Sequence, residues 1–71
     1  MIHLDPEVLD RARYVLGLSS DYELAEYIGR TPACVSNWRR GRNAPGLQDL
    51  VTLQKITGRP YGEMLLIPES V

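Results

Sequence analysis

The chain has 71 residues, 44% of them apolar, with one cysteine, one histidine and a formal net charge of −1. That length allows one small domain, residues 1–71, with a modest core, and that composition excludes a disordered polymer. No apolar run approaches the roughly 20 residues of a membrane helix. A single cysteine closes no internal disulfide, and with one histidine it makes a poor metal site.

The opening "MIHLDPEV" lacks the basic, apolar and small-residue progression of a signal peptide, so a reducing cytoplasm is the expected compartment. Asp5-Pro6-Glu7 predicts the start of a first helix: a capping acid, a first-turn proline, and a carboxylate at the positive end of the dipole. Leu9, Ala12 and Leu16, or Val8, Ala12 and Val15, supply its apolar stripe, and Gly17 ends it. Ser19-Ser20 opens a second helix, with Ser20 and Glu23 spaced as a capping box. Leu24, Ala25 and Ile28 form its apolar face, and Gly29 stops it. Thr31-Pro32 opens a third helix, again as cap and first-turn proline; Val35 and Trp38 share one face and Gly41 closes it.

"NAPG", residues 43–46, reads as a loop. Leu47, Leu50, Val51, Leu53 and Gln54 follow helical spacing in a fourth helix that ends at Thr57-Gly58. Arg59-Pro60 begins a short fifth helix with Tyr61, Met64 and Leu65 facing inward, and Ile67-Pro68 ends it, leaving a tail from about residue 67. The expected class is all-α with five helices. The run "MLLI" at 64–67 has no assignable period, so only the last few residues are open to a strand.

Charge is unevenly spread. Residues 1–29 sum to −4 and residues 43–71 to −1, whereas residues 30–42 carry Arg30, Arg39, Arg40 and Arg42 without an acid, a sum of +4. Such asymmetry points to a polyanionic partner even where the total does not, although a solvated cationic face has the same signature. The segment 21–41, "DYELAEYIGRTPACVSNWRRG", reads as two helices of about two turns joined at Gly29, with Ala25 small enough for close crossing. That arrangement is a helix-turn-helix.

Leu24-Ala25, Gly29, Val35-Ser36, Trp38 and Arg40-Gly41, followed by Pro45 and an apolar fourth helix, resemble the helix-turn-helix of the Cro and repressor superfamily of phage and bacterial regulators. The resemblance runs from about residue 7 to 66. It implies a five-helix, lambda-repressor-like domain, binding of an operator in double-stranded DNA as a dimer, and insertion of helix 32–40 into the major groove. The host compartment would be the bacterial cytoplasm.

Three positions depart from the family pattern. Asp21 stands where relatives often carry a phosphate-binding glutamine; its expected work is stabilising a helix N-terminus. Arg30 replaces an apolar turn residue, and Pro32 and Ala33 replace polar base-readers. Apolar contact with a thymine methyl is therefore expected at Pro32 and Ala33, and an adenine edge suits Asn37, one turn on. Ser36 would meet a phosphate or a nearby base. Arg40 and Arg42, with the amides around Ala44 to Leu47, would grip the backbone. Thr31 and Asn43 complete the expected contact set. Only one of Arg39 and Arg40 can point well into the groove, and the sequence leaves open which.

Trp38 and Cys34 have structural readings: Trp38 as core, Cys34 as a small, partly buried residue, with a thiol beside DNA as its alternative. His3 reads as tail. With one histidine, one cysteine and no phosphate loop, no enzyme, cofactor or small-molecule substrate is expected.

Two functions stand: a Cro-type, sequence-specific transcriptional repressor, or an antitoxin or adaptor using the same fold for protein contacts. They differ in whether carboxylates of this chain satisfy the arginines around the third helix. A dimer surface is expected outside that helix, on Tyr61, Leu65, Leu66 and Ile67, formed mainly on the operator.

Overall fold

Capping side chains start three of the helices and fix where their first turns lie. The computed structural model describes residues 2–66. It holds α1 (Pro6–Leu16), α2 (Asp21–Ile28), α3 (Pro32–Arg39), α4 (Leu47–Thr57) and α5 (Tyr61–Met64). The Asp5 side chain accepts from the Glu7 amide, that of Ser20 from Glu23, and that of Thr31 from Cys34. Each satisfies one of the amides a helix start leaves without a partner. The Ser20 half of the capping box forms as expected, and its return half is offset by one residue: the Glu23 carboxylate accepts from the amide and hydroxyl of Ser19.

The chain is mostly helical, as expected, with one addition at its ends. Residues His3–Leu4 (β1) and Leu65–Leu66 (β2) pair antiparallel, with His3 opposite Leu66 and Leu4 opposite Leu65. Asp5 continues the link by donating its amide to the Met64 carbonyl at 2.8 Å. The unassignable run at 64–67 therefore gives its middle to a strand. His3, read as tail from the sequence, is held in that strand; Ile67 lies outside the described residues. None of the described helices is long and apolar enough to cross a membrane.

The core joins Leu4 with Val8, Leu9 and Ala12 of α1, Leu24 and Ala25 of α2, Val35 and Trp38 of α3, Leu53 of α4 and Met64 of α5. α2 packs chiefly on α3, and α1 on α4. Gly29 carries the chain between α2 and α3 at a φ of 77°, a backbone state open to glycine without penalty. The Arg30 amide then donates to the Ala25 carbonyl at 2.8 Å, which closes the turn.

Three apolar residues that the sequence placed in helical rows lie at the surface. Val15 is 49% exposed: it shares the face of Val8 but lies in the last turn of α1, where Leu16 makes the contact with the core. Leu47 is 77% exposed: it is the first residue of α4 and projects past the core, while the inward row of that helix runs through Asp49, Leu53 and Thr57. Tyr61 is 45% exposed, since the single turn of α5 buries only Met64.

Candidate nucleic-acid interface

A helix turns about 100° per residue, so Val35 and Trp38 share one side of α3, while Ala33, Asn37 and Arg40 share the opposite side. The burial follows that geometry. Val35 and Trp38 are buried; Pro32, Ala33 and Arg40 are exposed, with Ser36 and Asn37 half-buried. Trp38 and Cys34 take the buried and partly buried places expected of them. Thr31 caps the helix, with its hydroxyl oxygen 3.3 Å from the Cys34 amide.

Beyond Arg39 the chain leaves the helix through Gly41, at a φ of 73°. A Cβ placed there would lie 2.9 Å from Nδ1 of His3. Glycine is thus required twice, by backbone conformation and by the close approach of β1. The turn sends Arg42, Asn43 and Ala44 into solvent, in continuity with the exposed side of α3. A shallow depression of about 220 Å³ lies behind Arg40, between α3 and the β1–β2 pair. The Nδ1 of His3 is buried without a hydrogen-bond partner among the described residues.

The four arginines of 30–42 divide into two pairs. The Arg30 Nε donates to Asp49 Oδ1 at 2.7 Å, tying the turn before α3 to the first turn of α4. Arg39 meets Asp21 with two bonds, Nε to Oδ2 at 2.7 Å and Nη2 to Oδ1 at 3.0 Å. Its Nη2 also donates to Asp10 Oδ1 at 2.8 Å. Arg13 approaches the same Asp21 carboxylate at 3.5 Å and donates to the Ser19 carbonyl. Arg40 and Arg42, by contrast, pair with no carboxylate among the described residues.

The Arg39 hydrogen bond, with the nearby charges of Arg39 and Arg13, holds the Asp21 carboxyl below its ordinary value despite some burial. The Arg39 pKa is raised in turn, chiefly by its bond to Asp21. Arg39 is therefore a held cation, and of the two neighbouring arginines Arg40 is the one that faces outward. Asp21 lies in the first turn of α2, where a carboxylate faces the positive end of the helix dipole, and carries this additional bond.

These ion pairs had no signal in the sequence. Arg39 lies 29 residues from Asp10 and 18 from Asp21, and Arg30 lies 19 from Asp49. No helical period links such positions, and the only hint was an acid at the start of α2.

The start of α4 adds open amides. Gly46 is its N-cap and supplies no side-chain bond, so the first amides of α4 have no capping side chain. Leu66, which lines the depression behind Arg40, is 47% exposed, and Ile2, next to β1, is 44% exposed, as Tyr61 is at 45%; Leu65 is half-buried. Comparison with protein-family models, curated proteins and solved structures found no match.

Proposed function

We propose that this chain is a sequence-specific regulator that binds double-stranded DNA, most simply a cytoplasmic repressor of Cro type. The observation that carries the reading is the outward side of α3. Ala33, Asn37 and Arg40 line it at one-turn spacing, and Arg40 and Arg42 extend it as cations that pair with no carboxylate among the described residues. In this reading α2 and α3 are a helix-turn-helix, with α3 in the major groove. Asn37 pairs with an adenine edge, and Pro32 and Ala33 meet a thymine methyl. Arg40, Arg42, Asn43 and the amides at the start of α4 bind phosphates and set the register. Two copies related by a two-fold axis would read half-sites roughly 34 Å apart. The exposed Ile2, Tyr61 and Leu66 lie outside α3, at the β1–β2 pair and α5, and suit the contact between copies.

Selection of bound duplexes from a random pool tests this reading. Enrichment of a two-fold symmetric sequence, lost in Asn37→Ala, is the expected result. A pool that returns without enrichment removes sequence-specific recognition. The second reading, a protein-contact module such as an antitoxin or adaptor, draws on a different observation: Arg30 and Arg39 are already paired, and Tyr14, Tyr22 and Tyr27 are each at least 60% exposed. Early elution from a DNA column as salt rises, no later than from an uncharged column, would favour it.

A further inference from the structure

Arg39 stands on the border of α3, between the buried side of Val35 and Trp38 and the exposed side of Arg40. Its Nε and Nη2 take the Asp21 carboxylate in a two-point grip, and Nη2 takes Asp10 as well. A guanidinium uses the same planar pair of donors for a phosphate. A phosphate passing the flank of α3 would therefore compete with these carboxylates for one set of donors. The clamp is also open to water: the side chains of Arg39, Asp21 and Asp10 are 30%, 28% and 59% exposed. It spans three helices, since Asp10 belongs to α1, Asp21 to α2 and Arg39 to α3.

We infer that Asp10 and Asp21 are positioning residues that limit DNA affinity by holding Arg39 away from the phosphate backbone. This rests on the DNA-binding reading above. Wild type then grips the backbone with Arg40 and Arg42 and withholds a third cation from the same helix end. Phosphate contacts strengthen binding without regard to sequence. The clamp thus keeps the sequence-independent part of binding weak.

The test is fluorescence anisotropy on a mixed-sequence DNA duplex over a range of salt. Four proteins are compared: wild type, Asp10→Asn/Asp21→Asn, Arg39→Gln, and the triple variant, with a thermal melt of each to establish folding. Freeing Arg39 adds one phosphate contact. The double variant should therefore show a logarithmic salt slope steeper by about 0.9 and bind roughly tenfold tighter near 0.1 M salt. On the Arg39→Gln background the same two substitutions should leave the slope unchanged. A merely structural role for the clamp would lower the melting temperature without steepening any slope, and that result overturns the inference. An equal gain with and without Arg39 also overturns it, since general charge repulsion would then be the cause.

If the double variant fails to fold, Asp10→Asn alone carries the test. It removes one of the three bonds that hold Arg39 and must steepen the slope by a fraction of the double variant's roughly 0.9, only when Arg39 is present; an unchanged slope overturns the inference. A wild-type protein without salt-dependent duplex binding overturns the DNA reading and this inference together. Wild-type binding with an unaltered slope in the double variant overturns this inference alone.

Discussion

Arg39 and Arg40 are adjacent in sequence, and the helix turns them about 100° apart. Arg39 faces the acids of α1 and α2 and makes three bonds to them. Arg40 is exposed and meets no carboxylate among the described residues. One flank of α3 is thus an internal joint, and the other is an open surface of the same residue chemistry. Counting arginines measured the charge near α3 but not the part of it available to a ligand.

Substitutions on the two flanks should separate stability from binding. The largest effect belongs to the joint. Trp38→Ala removes a side chain only 3% exposed, between α3 and the rest of the core. It should cost about 3–5 kcal/mol in urea unfolding. A loss below about 1 kcal/mol would mean that this side of α3 is not packed as described.

On the open flank, Asn37→Ala should weaken binding to a selected duplex by about 1–3 kcal/mol and leave random duplex unchanged. It should barely move the unfolding midpoint. Equal losses on both duplexes would take Asn37 out of base reading.

Gly41 lies where the two flanks meet the strand pair. Gly41→Ala forces a side chain into a left-handed backbone and against His3. The expected cost is about 1–2 kcal/mol, read by thermal unfolding. Part of it should return in Gly41→Ala/His3→Ala, because that partner removes the contact but not the backbone strain.

The smallest effect is the stability contributed by the clamp. Asp21 has a folded pKa below its ordinary 3.8. A group depressed in this way stabilises the fold above the ordinary value, and its contribution fades as pH falls through the lower folded one. Asp21→Asn should therefore cost up to about 1 kcal/mol at neutral pH, as for a solvent-accessible pair, and flatten part of the loss below pH 3.8. Urea midpoints against pH would show it; an acid limb identical to wild type would assign that loss to other carboxylates.

Much of this architecture was legible because it is local. The caps at Asp5, Ser20 and Thr31 and the stop at Gly29 depend on neighbours within a few residues, and these helix boundaries fall where the sequence placed them. The spacing of Val35 and Trp38 likewise gave the buried side of α3, and hence its outward side. Long-range partners were not legible. Nothing in the period of α3 tells Arg39 from Arg40 as a clamped cation, because that depends on where α1 and α2 bring Asp10 and Asp21. Leu47 and Tyr61 misled for a related reason: they lie at helix ends, where a periodic row continues after the core beneath it has stopped. β1 escaped notice because two residues are too few to show alternation, and His3 and Leu4 gain their pairing only from Leu65 and Leu66.

The central claim is that the open flank of α3 grips DNA through Arg40 and Arg42. Its most direct test is the salt dependence of binding to a mixed-sequence duplex, wild type against Arg40→Ala/Arg42→Ala. Each lost phosphate contact removes about 0.9 from the logarithmic slope. Wild type should bind with a clear negative slope, and the double variant should be shallower by about two units while melting like wild type. A wild-type slope near zero, or one that survives both substitutions, would contradict the account.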